Sequence, residues 1–193
     1  MTPEPPGRRR SGPSSYQPDI APDMWNALGL KPGDVFVDLG CGPGDYALDA
    51  AERVGPHGAV LALDTWNRVL SELHADAMRA NLITILPLCA DIAASLPVGA
   101  HCVDACLLAM VLHMPGRTTH LGLMLDEVRR VLKPGGRLGI LEHTGHDQLP
   151  EGHPARRLTP EWFTTEAESH GFARLELMEL DRAWLLVLAA AAP

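Results

Sequence analysis

Lysine is almost absent from this chain. Lys31 and Lys133 are the only two, and arginine supplies the other 14 of its 16 basic residues. Against 24 acidic residues this leaves a formal net charge of −8. Nucleic acid is gripped through its phosphates by clustered cations, so nucleic acid is not an expected partner. The four cysteines (41, 89, 102 and 106) follow no metal-ligand spacing. Cys102 and Cys106 fall on one expected strand, about 13 Å apart at the usual rise. That is too far for a disulfide, and buried free thiols are expected. No apolar run reaches the roughly 18 residues a membrane helix needs, and the most apolar stretch, Trp184–Ala192, reads as a last strand. Arg8-Arg9-Arg10 is followed by serine, glycine and proline, not by the apolar core of a signal peptide. A cytoplasmic protein with no membrane partner is the expectation.

What is present describes one globular domain. With 193 residues and 46% hydrophobic content the chain can bury a substantial core. Residues 1–18, rich in proline, glycine, serine and arginine, cannot bury enough apolar surface to order themselves and read as a flexible arm. Residues 19–193 read as a single domain. Apolar periodicity gives a helix near Asp19–Leu30, then strands at Val35–Leu39, Ala59–Leu63, Thr84–Leu88, Val103–Ala109 and Arg137–Leu141. Helices fall between them, at Asp45–Val54, Trp66–Ala80 and Gly116–Leu132. Glu142–Leu158 reads as a polar loop, Thr159 as the cap of a helix with Pro160 at its first position, and Ala173–Leu188 as a closing hairpin. Alternating strand and helix implies an α/β fold with a doubly wound, mostly parallel sheet.

The most informative stretch is Val37-Asp38-Leu39-Gly40-Cys41-Gly42-Pro43-Gly44. An apolar strand ends in an acid, then three glycines at alternate positions lead into a helix. Glycine at that density suits a strand-to-helix turn whose backbone touches a ligand. Such turns lie at the carboxyl ends of central strands, where α/β sheets bind nucleotides. A dinucleotide site wants a third glycine where this chain has Asp45, and a carboxylate there opposes a pyrophosphate. It does not oppose an adenosine cofactor bearing a sulfonium and an amino group. Asp64 ends the second strand 20 residues after Gly44, where a carboxylate can accept from both ribose hydroxyls. Thr65 and Trp66 then flank the adenine, Trp66 offering a stacking face. As an alternative, Asp64 serves the helix that starts near Trp66.

In this register, Asp38, Gly40, Gly42 and Gly44 resemble the acidic-x-G-x-G-x-G first motif of the class I S-adenosylmethionine-dependent methyltransferases. Ala109-Met110-Val111-Leu112-His113-Met114 and Val131-Leu132-Lys133-Pro134-Gly135-Gly136 resemble segments of the small-molecule, ubiquinone-biosynthesis-like branch. The resemblance implies a seven-stranded sheet in the order 3-2-1-4-5-7-6, its last hairpin antiparallel, and S-adenosyl-L-methionine as cofactor. It implies cofactor contacts from Asp38 and the Gly40-Cys41-Gly42 turn, from Asp91 to the adenine amino group with Ile92 packed on the ring, and from Leu108 and Ala109 on the methionine side. Tyr16, the one aromatic of the arm, either folds over the cofactor, as the resemblance implies, or is a mobile residue. The Asn-Pro-Pro-aromatic motif of amino-methylating nucleic-acid enzymes is missing after the fourth strand.

Methyl transfer is an in-line displacement that needs alignment and, for some acceptors, a base. His113 and His143, at the ends of the fourth and fifth strands, are the catalytic candidates, since imidazole accepts protons near neutral pH. His143, His146, Asp147 and His153 could also suggest a metal, but a proline-rich loop lacks the rigid frame of a zinc site, so no metal is expected. A small-molecule acceptor is the expected partner. With no appended substrate domain read, the pocket is covered by loops and the arm, or is completed by a second copy in a homodimer. A non-catalytic module binding S-adenosylmethionine or S-adenosylhomocysteine is the rival reading, and an NAD-dependent oxidoreductase is opposed by Asp45.

Overall fold

A computed structural model describes residues 14–114, 116–145, 151, 156 and 158–191. The strands are β1 (Val35–Leu39), β2 (Ala59–Asp64), β3 (Ile85–Cys89), β4 (Val103–Ala109), β5 (Leu132–His143), β6 (Phe172–Glu179) and β7 (Ala183–Ala190). The helices are α1 (Ala21–Leu28), α2 (Asp45–Val54), α3 (Asn67–Arg79), α4 (Leu121–Val131) and α5 (Pro160–Ser169). The seven strands form one sheet in the order β3-β2-β1-β4-β5-β7-β6. β1 to β5 run parallel, and β7 lies antiparallel between β5 and β6. The expected order and the antiparallel closing hairpin are therefore present.

The central strands are covered on both faces, which is why they are apolar almost without interruption. Alternation sends Phe36, Ala105 and Leu107 into one core with α1, α2 and α3. It sends Val37, Leu39, Cys106 and Leu108 into a second core with α4 and α5. β3 is the outer strand at its end of the order, and there Pro87, which cannot donate to a ladder, is tolerated. Asp104 works at the opposite end of β4 from the crevice. It accepts from the Val35 amide at 2.9 Å and pairs with Lys133 at 2.7 Å, tying the starts of β1 and β5 together. Thr159 caps α5 by accepting from the Trp162 amide at 3.2 Å.

Several boundaries differ from those expected. β5 starts at Leu132 and runs to His143, because Lys133-Pro134-Gly135-Gly136 forms an irregularity within the β4 pairing instead of a separate turn. A short 3₁₀ turn, Arg117–His120, stands ahead of α4, which begins at Leu121. Two of the four cysteines depart from the expectation of burial: Cys41 and Cys106 are buried, whereas Cys89 and Cys102 are exposed. Cys89 ends the outer strand β3, and Cys102 precedes β4. Most of the expected arm falls outside the described residues. Of its described part, Tyr16 packs edge-on against Tyr46 of α2 at 5.2 Å and donates to Asp49 at 2.8 Å.

The turn between β1 and α2 is where backbone freedom is required. Gly44 has φ of 80°, and a Cβ there would run into the Leu73 side chain of α3. Gly44→Ala combines that overlap with an unfavourable backbone region and should cost about 2 kcal/mol. A urea unfolding curve reads this directly. An unshifted midpoint would show that α2 and α3 do not pack through this glycine.

Candidate active site

The turn after β1 is pinned by its neighbours. The Gly40 and Cys41 amides both donate to the Leu63 carbonyl at 2.8 Å, and the Gly42 amide donates to Asp64 Oδ2 at 3.0 Å. Gly40 has φ of 78°, and a Cβ there would stand 2.8 Å from Val111 Cγ2, so the turn passes directly beneath the segment that follows β4. Asp64 Oδ1 accepts from the Trp66 amide at 2.9 Å. The carboxylate at the end of β2 thus shapes both its own turn and the glycine turn. Each of its oxygens keeps acceptor capacity beyond these bonds.

These elements surround a cavity of about 710 Å³ at the carboxyl ends of the central strands, where a doubly wound sheet leaves its crevice. Asp38 is 1% exposed on its floor, and its Oδ2 has no hydrogen-bond partner. Burial, and then the nearby Asp64 carboxylate, push the Asp38 carboxyl up to about 7, while the Ala47 amide opposes the shift. Asp38, Asp45 and Asp64 all line the cavity. A phosphate ligand would meet three carboxyl groups, whereas a sulfonium or ammonium meets favourable charge.

The β4 and β5 side carries different chemistry. Glu142 is fully buried, and its Oε1 accepts from the Leu112 amide at 2.8 Å and the His113 amide at 3.3 Å. Its Oε2 lies 3.1 Å from His113 Nδ1. That bond holds the His113 imidazole above its ordinary range, against the opposing effect of partial burial. The His143 ring lies 5.8 Å from the His113 ring. Met110, at the end of β4, has φ of 55°, a backbone region that non-glycine residues rarely occupy outside functional or strained sites.

Asp38, Gly40, Cys41, Gly42, Asp64, Thr65, Trp66, Ile92, Ala109, His113 and His143 are brought together around this one cavity. Asp91 and Leu108 stand apart from its lining. Leu108 alternates away from Leu107 into the core beneath α4, so its side chain is committed to packing. The exposed Asp91 carboxylate accepts from the Ala93 amide at 3.1 Å and Arg117 at 3.0 Å, and these bonds hold it below the usual carboxylate range. His146, Asp147 and His153 lie outside the described residues. Sequence reasoning missed Arg117, Tyr46, Val111, Ser14 and Ser15 on the cavity wall. It also gave Glu142 no role in the site, where its carboxylate holds the His113 ring. The Ser15 carbonyl accepts from the Tyr46 hydroxyl at 3.1 Å, a long-range contact with no local signal in the chain.

The sheet order and the crevice define the Rossmann-like methyltransferase fold. A solved S-adenosylmethionine-dependent methyltransferase from Aquifex aeolicus shares it, with a TM-score of 0.74 at 20% identity over 91% of this chain and 94% of that one. Residues 36–136, more than half of the chain, match the family described as methyltransferase domain, and the chain belongs to that family. It is 33% identical to a demethylmenaquinone methyltransferase of Lactococcus lactis over 133 residues, 66% of this chain and 51% of that protein. It is 36% identical to a ubiquinone/menaquinone biosynthesis C-methyltransferase of Bordetella avium over 124 residues, 62% of this chain and 46% of that protein. The chain thus spans about half the length of these curated relatives.

The raised Asp38 carboxyl has a consequence for stability. A carboxyl whose folded value lies above its unfolded one favours folding while protonated. That contribution is fully present below about pH 4, and it is lost as pH rises through about 7. Asparagine does not titrate. The stability of Asp38→Asn relative to the wild type, both without ligand, should therefore grow from pH 5 to pH 8. Urea midpoints at the two pH values measure it, and a gap that stays constant would mean Asp38 does not titrate in the folded protein.

Proposed function

We propose that this chain binds S-adenosyl-L-methionine in the cavity above β1 and β2 and catalyses transfer of its methyl group to a small-molecule acceptor. The observation that carries the reading is the carboxylate-lined glycine turn, with Asp38 buried on the floor, its Oδ2 unpartnered, and Asp64 drawn onto the Gly42 amide. When bound there, the cofactor supplies a methyl group activated on a cationic sulfur. Asp64 accepts from the ribose hydroxyls with the capacity left on its two oxygens. Trp66, 67% exposed at the rim, offers its ring face to the adenine, and Thr65 and Ile92 close the base in. Gly40, Cys41 and Gly42 present backbone to the methionine portion beside Ala109, and the free oxygen of Asp38 takes up its amino group, directly or through water.

His113 and His143 stand at the acceptor end of the same cavity as the groups able to take a proton from the incoming nucleophile. The fit is to the cofactor's charge as much as to its shape: three carboxyl groups surround the site of a sulfonium and an ammonium. A module that only bound the cofactor would have no use for a buried carboxylate holding an imidazole that faces that cavity, which favours catalysis over binding alone.

Calorimetric titration tests the cofactor half of this reading. S-adenosylmethionine and S-adenosylhomocysteine should bind the wild type, and NAD should not. Asp64→Ala removes hydrogen bonds to a charged acceptor and should weaken binding by about 10- to 100-fold. Undiminished affinity in Asp64→Ala, or NAD binding as tightly as S-adenosylhomocysteine, would refute it.

A further inference from the structure

Two histidines face the cavity, and their surroundings are not equivalent. Glu142, fully buried near the end of β5, is enclosed by donors: the amides of Leu112 and His113 and the His113 ring. A carboxylate can only accept, so its Oε2 requires the proton on His113 Nδ1. Nε2 is left as the lone-pair nitrogen, and the same carboxylate balances the imidazolium that forms when Nε2 takes a proton. His143 has the His113 ring as its neighbour and, among the described residues, no carboxylate within hydrogen-bond distance.

We propose that Glu142 selects His113 over His143 as the general base, and that the methyl acceptor is a neutral phenol- or enol-type hydroxyl that loses its proton as it reacts. This deepens, and rests on, the methyl-transfer reading above. A base is needed only by an acceptor that must be deprotonated. Carboxylate and thiolate acceptors already carry their charge. A protonated amine would have to approach the Arg117 guanidinium on the cavity wall. A hydroxyl becoming an oxyanion is favoured by that same wall. Met110, Val111 and Met114 line the cavity beside His113 and suit a carbon-rich ring. In the step, the proton passes from the acceptor oxygen to His113 Nε2 and later to solvent. The oxygen's electron pair bonds the methyl carbon as the carbon–sulfur bond breaks, and that bond's pair stays on sulfur as a neutral thioether. Glu142 is a positioning residue, and His113 is the catalytic one.

The charged groups facing His113 are Glu142 and His143 from β5 and Arg117 from the 3₁₀ turn, with Asp38, Asp45 and Asp64 across the cavity. Glu142 alone among them bonds the ring. Glu142→Gln is therefore the informative substitution. The glutamine oxygen can still accept from the Leu112 and His113 amides, but its amide nitrogen donates toward Nδ1 and moves the ring proton to Nε2.

The experiment is a nitrogen-15 NMR titration of the histidine rings from about pH 5 to pH 9, on full-length protein with S-adenosylhomocysteine added. The wild type should show His113 as the Nδ1–H tautomer with a midpoint above the ordinary histidine value. Glu142→Gln should show the Nε2–H tautomer and a lower midpoint. In parallel, wild type and variant are given methyl-labelled S-adenosylmethionine with hydroquinone, catechol, a primary amine or a thiol. Label should enter a phenol, with kcat/KM rising through the His113 midpoint, and Glu142→Gln should lose about 100-fold or more while retaining S-adenosylhomocysteine affinity. An unchanged tautomer in Glu142→Gln, or label entering the amine or thiol and neither phenol, overturns the proposal. Should Glu142→Gln fail to fold, His113→Asn replaces it in the transfer assay, and full phenol methylation by that variant is equally fatal. Failure of the cofactor reading is seen separately, as wild-type protein that does not bind S-adenosylhomocysteine.

Discussion

The passage of the chain from β1 into α2 is the constraint on which the rest of the molecule depends. In five residues the backbone must leave a strand covered on both faces, pass beneath Val111, and enter a helix packed against Leu73. Side chains at Gly40 or Gly44 would meet those neighbours, so the turn closes only where Cβ atoms are missing. Its amides are then drawn onto β2, Gly40 and Cys41 to the Leu63 carbonyl and Gly42 to the Asp64 carboxylate. One turn thereby sets the spacing of α2 from α3, the height of the segment after β4, and the direction of Asp64.

The same geometry divides the cavity by charge. β1 and β2 deliver Asp38 and Asp64 to its floor, while β4 and β5 deliver His113 and His143 to the opposite wall. Strand order is what keeps them apart, since β1 and β4 are neighbours and β2 and β5 lie outside that pair. Burial sharpens both halves. It raises Asp38 toward neutrality and makes the enclosed Glu142 carboxylate a strong partner for the one imidazole it can reach. A cationic cofactor relieves the first strain, and a proton on His113 satisfies the second.

Much of this was legible along the chain because it rests on local rules. Val35–Leu39, Val103–Ala109 and the apolar closing hairpin announce buried strands by continuous hydrophobicity, and Thr159-Pro160 marks a helix start by its own chemistry. The glycine spacing, with Asp45 in place of a third glycine, pointed to an adenosine cofactor and away from a dinucleotide. Boundaries shifted where tertiary pairing extended an element, as β5 did through the Leu132–Val103 pair, which leaves Lys133-Pro134-Gly135-Gly136 as an irregularity within the strand. Leu108 was misplaced because strand residues alternate, and only the packed structure shows that its side chain enters the core with α4 while Ala109 lines the cavity.

By itself the sequence determined the class of fold, the turn and the acidic end of the cavity. Each follows from residue type at short spacing: glycine where no Cβ fits, acids at strand ends, and alternation of strands with helices. Tertiary structure decided the rest. Glu142 meets His113, 29 residues away, and not the adjacent His143; Arg117 meets Asp91, 26 residues away; Ser15 meets Tyr46, 31 residues away. Such pairs depend on where strand ends are brought side by side. That is set by the sheet order and the sum of many packing contacts, which no short stretch of sequence contains.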